Sequence, residues 1–371
     1  MNVMKPLLPT ADELAPYIDQ MNESGHYSNF GPINNILESR LKDIFNRPVV
    51  TASSGTTALE VAIASHYLPV NSYILVPALT YIATATAVRR CGHRVLVSDI
   101  DADHWILTPA RAREIVSKYP GEVKMVIPVA TFGHTLPADE WSEFSKETGI
   151  PVVMDCAQAF GSQPDVGTCT AMFSMHATKA LPAGEGGFIV TTPELEHIQR
   201  SMTSFGQSLG RDATVDRMLV VEDYGTNAKL SELHASVANI MLDRWPARLA
   251  QFRQQLTAYY DMIDQRFGDS PFGEQIRFQA GCRDYIRQMF VVQFESQQAR
   301  DRVAKHLAAK GIQTKLPYQP LVNKHPGFWS ANAERIVNAE IIAGQTLTIP
   351  FWLEMSRDDM ETVCNAIAEV L

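Results

Sequence analysis

From about residue 48 onward, short apolar runs alternate with stretches whose apolar positions recur at helical spacing. The runs at 49–52, 73–76, 94–97, 124–128, 152–155, 171–174 and 187–191 read as seven strands. Helical patterns at 56–67, 83–90, 109–119 and 139–148 separate the first five. Strands alternating with helices predict a largely parallel sheet with helices on both faces. The strand runs are apolar throughout rather than alternating, as strands covered on both faces should be. No long helix separates the last two runs, so one of them is expected to run antiparallel.

The flanks differ. Residues 1–45 read as polar helical sequence, interrupted at Ser28-Asn29-Phe30-Gly31-Pro32. Residues 230–242 and 247–267 read as long helices broken by Pro246. After about 270 the pattern changes to a strand at 285–294, a helix at 297–310 ended by Gly311, and a closing helix at 357–371. The expected organisation is a large α/β domain over 1–245, with the N-terminal segment. A smaller C-terminal α+β domain with its linking helix covers 246–371, with a hinge near 246–270.

Composition narrows the function. The 371 residues are 46% hydrophobic and 20% charged, ordinary for a globular chain. A net charge of −9 disfavours general nucleic-acid binding, although a local basic pocket could still take one small phosphorylated ligand. Cys91, Cys156, Cys169, Cys282 and Cys364 are scattered, without a C-x-x-C pair. That argues against disulfides and structural zinc and fits a reducing cytoplasm. No apolar run approaches the roughly 20 residues of a membrane span. The first residues carry prolines and acids rather than the basic and apolar regions of a signal peptide.

The candidate chemistry gathers at strand ends. Asp155-Cys156-Ala157-Gln158 closes the fifth strand run, where a carboxylate points into the ligand crevice of a parallel sheet. Lys179 follows Phe173-Ser174-Met175-His176-Ala177-Thr178 and precedes Gly184-Glu185-Gly186-Gly187. Ser53-Ser54-Gly55-Thr56-Thr57 leads from a strand into a helix, where free amides and the positive helix end can hold an anion. A lysine, a strand-end carboxylate and a nearby serine are what a pyridoxal phosphate (PLP) site needs. The lysine carries the aldehyde as a Schiff base, the aspartate keeps the ring nitrogen protonated, and the serine helps hold the phosphate.

Each motif also has a plainer reading. The serine can be an ordinary helix cap, Asp155 a cap of the next helix, and the lysine run a glycine-rich surface turn. Tyr81, in Pro77-Ala78-Leu79-Thr80-Tyr81, can stack on a flat ring or belong to the core. Thr226 or Asn227 can cap the helix that follows Gly225-Thr226-Asn227-Ala228-Lys229.

Taken in order, these segments resemble the PLP-dependent nucleotide-sugar aminotransferases of the DegT/StrS type, from about residue 5 to the C-terminus. The stretches Tyr27–Pro32, Leu316–Leu321 and Leu347–Pro350 share in the resemblance. It implies the fold type I architecture, with a large domain built on a mostly parallel seven-stranded sheet and a smaller α+β domain. It implies that Lys179 forms the Schiff base, Asp155 pairs with the pyridine nitrogen and Gln158 contacts the phenolic oxygen. It further implies that Ser174, Gly55 and Thr56 bind the phosphate and that Tyr81 stacks on the ring. Asn227 matches an asparagine that reaches the phosphate of the neighbouring subunit, which implies a homodimer with shared sites. No nucleic acid, membrane or metal is implied.

His176-Ala177-Thr178-Lys179 and the glycines after it are similar to the branch that aminates C4 of the sugar. The implied reaction moves an amino group from glutamate to a nucleotide-linked 4-keto-6-deoxy sugar. The chain departs from the family pattern at Met154, Cys156 and Lys229, where an acid, an alanine and an arginine are frequent. Lysine lacks the planar fork of arginine, which puts a bidentate contact at 229 in doubt. The alternatives are C3 or other keto-sugar amination, a lyase or desulfurase on the same fold, or a non-catalytic PLP- or sugar-binding regulator.

Overall fold

In the computed structural model, which describes residues 1–209, 219–221, 223–268, 275–327 and 330–371, helices α1 (Ala11–Ser24) and α2 (Pro32–Phe45) lead into the sheet. The strands are β1 (Val49–Ala52), β2 (Tyr73–Pro77), β3 (Arg94–Ser98), β4 (Val123–Val126), β5 (Val153–Asp155), β6 (Thr170–Ser174) and β7 (Gly187–Val190). Between them stand α3 (Gly55–Ala64), α4 (Ile82–Arg90), α5 (Pro109–Lys118) and α6 (Ala138–Thr148). β3, β2 and β4 pair in parallel, as do β5 and β6. Parallel bridges Val126–Val152 and Val129–Asp155 carry the pairing from β4 to β5.

β7 runs antiparallel to both β6 and β1. The spatial order is therefore β3-β2-β4-β5-β6-β7-β1, with one reversed strand. The β6–β7 connection holds no crossover helix, in keeping with an antiparallel pair. Every residue of β1, β5, β6 and β7 is buried, which is why their sequences do not alternate.

Helix α7 (Pro193–Thr203), which the sequence reading did not anticipate, follows β7. Helices α8 (Glu232–Asp243) and α9 (Trp245–Phe267) come next. Pro246 starts α9 rather than merely interrupting a helix, because a first-turn position needs no amide donor. α2 is also less polar than expected: Ile33, Leu37, Leu41 and Phe45 are buried along one face.

Only Phe290–Phe294 of the strand expected at 285–294 is extended in a sheet. Upstream of it, the Ile286 amide donates to Ser162 Oγ at 3.1 Å, and Ser162 Oγ donates back to the Ile286 carbonyl at 3.1 Å. Those bonds hold the segment against a loop after β5 instead of a neighbouring strand. Phe290–Phe294 pairs antiparallel with Ile276–Arg277 and Thr346–Ile349. Helices Gln297–Ala309 and Arg357–Ala368 accompany this small sheet.

Two long-range features tie the chain together. The first residues lie against its C-terminal part: the Met1 amine donates to the Gly311 carbonyl at 2.6 Å, and the Phe351 amide to the Val3 carbonyl at 3.1 Å. Residues 315–327 and 330–339 then lie back against the large sheet. The Val322 amide donates to the Ala78 carbonyl, Ser330–Asn332 pairs in parallel with β3, and the Asp99 carboxylate accepts the amides of Val337, Asn338 and Ala339 at 2.8–3.0 Å. This return brings Lys315–Pro320 over the ends of the strands.

A buried carboxylate orders the N-terminal helices. Glu232, at the first turn of α8, accepts the amides of Ile33 and Asn34 at 2.8 and 3.1 Å and so caps α2 from a distant element. Gly31 at that helix end has no side chain to cap with, and a Cβ there would fall 2.7 Å from Glu232 Cδ. Glu232→Ala leaves two buried amides without partners, and the expected loss of unfolding free energy is about 2–4 kcal/mol by denaturant titration. Glu232→Gln, which keeps one acceptor oxygen, should lose less.

Candidate active site

Four loops leave the sheet at the carboxyl ends of parallel strands, where ligand crevices form in α/β folds. β1 runs through Ser53 and Ser54 into α3, β2 through Thr80 and Tyr81 into α4, β5 ends on Asp155, and β6 ends on Ser174 before the loop that holds Lys179. They border one cavity of about 540 Å³. Gly55, Thr56, Tyr81, Asp155, Gln158, Ser174 and Lys179 all line it.

Asp155 is 5% exposed. Its Oδ2 accepts the Thr84 hydroxyl at 2.7 Å and its Oδ1 the Ala157 amide at 3.1 Å. Burial pushes its carboxyl above the usual range, against the pull of those two donors and of the Lys179 charge. Burial also lowers the Lys179 amine to about 8, while Asp155 pulls the other way. The Lys179 amide donates to the His176 carbonyl at 2.9 Å, closing a tight turn after β6.

One end of the cavity is the start of α3. Ser54 caps it by accepting the Thr57 amide, and its carbonyl takes the Ala58 amide. The Gly55 and Thr56 amides keep no partner among the described residues, and both residues line the cavity together with Ser174. Close packing enforces glycine there: a Cβ on Gly55 would lie 2.9 Å from Ser174 Cβ, and one on Gly187 would lie 2.7 Å from Gly55 N. The three elements β6, β7 and α3 meet only because both positions lack a side chain.

Tyr81 is 64% exposed at the start of α4, with its ring 6.3 Å from that of Tyr318. Gln158 donates to Met289 Sδ at 3.4 Å. Asn227 is exposed and is not among the residues lining this cavity; its Oδ1 accepts Lys229 Nζ at 2.7 Å. Cys156 faces the core rather than the cavity, and burial pushes its thiol well up. Among the described residues no helix is long and apolar enough to cross a membrane.

Sequence reasoning missed Thr84, Tyr318 and Gln288. Thr84 stands one helical turn after Thr80 and shares a 2.8 Å hydroxyl contact with it, a spacing that could have linked it to Tyr81. Tyr318 stacks on Phe132 at 5.1 Å and 11° from a left-handed backbone conformation (φ 55°). Only the return of residues 315–320 across the sheet puts it there, so no local pattern marks it.

A lysine and a carboxylate at adjacent strand ends, beside an open helix start, define the fold type I class of PLP enzymes. The chain belongs to the DegT/DnrJ/EryC1/StrS aminotransferase family, whose profile matches residues 10–368. It is an enzyme of the PLP-dependent aminotransferase kind. It is 24% identical over 378 residues to the dTDP-4-amino-4,6-dideoxy-D-glucose transaminase of Shigella dysenteriae, covering 99% of this chain and 98% of that one. It is 28% identical over 332 residues to the dTDP-3-amino-3,4,6-trideoxy-alpha-D-glucose transaminase of Streptomyces venezuelae, covering 86% and 82%. A crystal structure of a putative PLP-dependent aminotransferase from Bacillus cereus superposes with a TM-score of 0.89 at 23% identity, over 99% of both chains.

The site fits that cofactor. Asp155 has only neutral donors at hydrogen-bond distance and can accept a pyridinium N–H. The unpaired Gly55 and Thr56 amides and Ser174 can take a phosphate.

In cofactor-free protein, acetylation of Lys179 followed by mass spectrometry should rise with pH around a midpoint near 8, well below the ordinary lysine value of 10.5. Asp155→Asn removes an attraction that favours the charged amine, so the midpoint should fall further. A midpoint near 10.5 in the native protein would show that burial does not act on this amine.

Proposed function

We propose that the protein moves an amino group from glutamate to C4 of a nucleotide-linked 4-keto-6-deoxy sugar. The product is a 4-amino-4,6-dideoxy sugar nucleotide, such as dTDP-4-amino-4,6-dideoxyglucose, for surface polysaccharide such as O-antigen. The observation that carries this reading is the single cavity of about 540 Å³ that Lys179, Asp155 and the open end of α3 share. Its size suits a cofactor with a substrate sugar beside it. The His176-Ala177-Thr178-Lys179 run and the Shigella relative support C4. The Streptomyces relative, named for a 3-amino sugar, supports C3 amination as the second reading.

PLP, when bound, supplies an electron sink that makes a proton on the amino acid Cα removable. Lys179 would hold the cofactor through its Nζ and, once displaced by the donor amine, would be the group placed to take the Cα proton as a base and return it as an acid. An amine lowered to about 8 is partly neutral near physiological pH and so able to act as a base. Asp155 would keep the ring nitrogen protonated, Gln158 would hold the phenolic oxygen, and Tyr81 would cover the ring. Ser174, Gly55 and Thr56 would hold the phosphate. The keto-sugar would be the second substrate, the one that receives the amino group.

Asn227 lies outside the cavity of its own chain, which supports a symmetric homodimer in which it serves the neighbour's site. The division into domains at 245/246 and a cytoplasmic setting, where the five free cysteines stay reduced, belong to the same proposal.

Glutamate should bleach the visible band of the protein loaded with PLP, and a panel of nucleotide-linked keto-sugars should restore it. Lys179→Ala should lose borohydride-trappable cofactor; cofactor trapped on another lysine would sink the assignment. Binding without any turnover of glutamate on the whole panel would favour the regulator reading. The shared site has its own check, since Lys179→Ala and Asn227→Asp should each be inactive alone. Mixed and re-associated, they should recover up to about one quarter of native activity, because half the dimers are hybrid with one intact site each.

A further inference from the structure

A second cavity, of about 40 Å³, adjoins the first at Lys179; Met4, Thr178 and Gln288 also border both. Two buried donors belong to residues on its wall and have no partner among the described residues: Nε of Arg248 and Nε2 of Gln288. Gln288 is only 8% exposed. A buried donor without a partner is costly, so two of them on residues of one cavity wall mark a place for an acceptor.

The charges point the same way. Lys5, Arg248 and Lys179 border the cavity against one carboxylate, Glu354, whose attraction for Arg248 acts through space without a hydrogen bond. The N-terminal segment closes it: the Val3 carbonyl is bonded to the Phe351 amide, and Lys5 Nζ sits 4.0 Å above the Trp352 ring. The space is too small for a sugar or a nucleotide and matches a carboxylate. A carboxylate beside the lysine that handles the amine belongs to the amino donor, whose α-carboxylate and amine share one carbon.

We propose that this small cavity is the carboxylate subsite of the amino donor, in which Arg248 Nε and Gln288 Nε2 donate to the α-carboxylate while the amine stands at Lys179. The inference rests on the aminotransferase reading above. It separates the two substrates of one active site: the donor is held by α9 and the Gln288 segment, and the keto-sugar by the larger cavity.

The test uses the holoenzyme and glutarate, which keeps the carboxylates of glutamate but has no amine to react. Glutarate affinity is measured by calorimetry and by its effect on the cofactor band. Arg248→Met should weaken glutarate roughly tenfold to a hundredfold, and Gln288→Leu about threefold to tenfold, the range for losing a charged or a neutral donor. Arg248→Lys, which keeps the charge but not the Nε position, should fall between Arg248→Met and native protein and serves if Arg248→Met does not fold. KM for glutamate should rise in parallel, while KM for the keto-sugar, which has no carboxylate, changes less than about twofold.

Native glutarate affinity in Gln288→Leu and in a folded Arg248 variant would overturn the subsite. An equal rise in both KM values would overturn it too, by showing a general disturbance. The outcome is separable from the function itself. If native holoenzyme binds glutarate but glutamate does not bleach the band, the donor reading fails and the carboxylate site stands. If glutamate bleaches the band and the variants bind glutarate like native protein, the reverse holds.

Discussion

Lys179 and Asp155 face the same cavity, and burial acts against the charge of each. It lowers the amine to about 8 and raises the carboxyl, while each group pulls the other back toward its charged form. A lysine left in water would stay protonated and could not take a proton; an aspartate left in water would be satisfied by solvent and would have no call for a ring nitrogen. The chemistry therefore depends on a dry cavity with both groups on its wall. Much of the fold serves that condition. β5 carries Asp155 on a central strand, the tight turn after β6 holds Lys179, and residues 315–320 return over the strand ends to cover them.

The end of the cavity at α3 imposes a separate constraint, which is steric. The start of α3 can offer two free amides beside Ser174 only if β6, β7 and α3 approach more closely than side chains allow. Gly55 and Gly187 meet that demand at two points far apart in sequence. The reversal of β7 is part of the same arrangement, since it brings Gly187 opposite Ser174 and against the first turn of α3. The cavity wall at α3 and the sheet topology are thus one feature seen from two sides.

Distant connections fix segments beyond the sheet. Glu232 caps α2 from α8, Asp99 caps the helix Asn338–Gln345 from the end of β3, and the first residues of the chain lie on the strand end at Phe351. Each fixes a segment through hydrogen bonds to backbone amides, which constrain position more tightly than apolar contact does, and the first residues thereby come to line the cavity wall at Met4. The Gln288 segment is held likewise, by the reciprocal bonds of Ile286 with Ser162.

The seven strands, the helices between the first five, the reversed strand after β6 and the residues gathered around Lys179 were legible in the sequence, whereas α7 was not. Period and apolar runs report local burial, and motifs at strand ends report where a parallel sheet opens. Lys179, Asp155, Ser174 and Gly55 were found because the chemistry they suit lies in short segments beside those ends. Tyr318, Thr84, Gln288 and Arg248 were not, because their place depends on contacts between segments up to hundreds of residues apart. The 285–289 segment shows the limit most plainly: its apolar residues read as strand, but Ser162 offered its backbone other partners. Local sequence determined which elements form and which residue types stand at their ends. Tertiary structure alone decided which donors lost their partners to burial, and so where a ligand can bind.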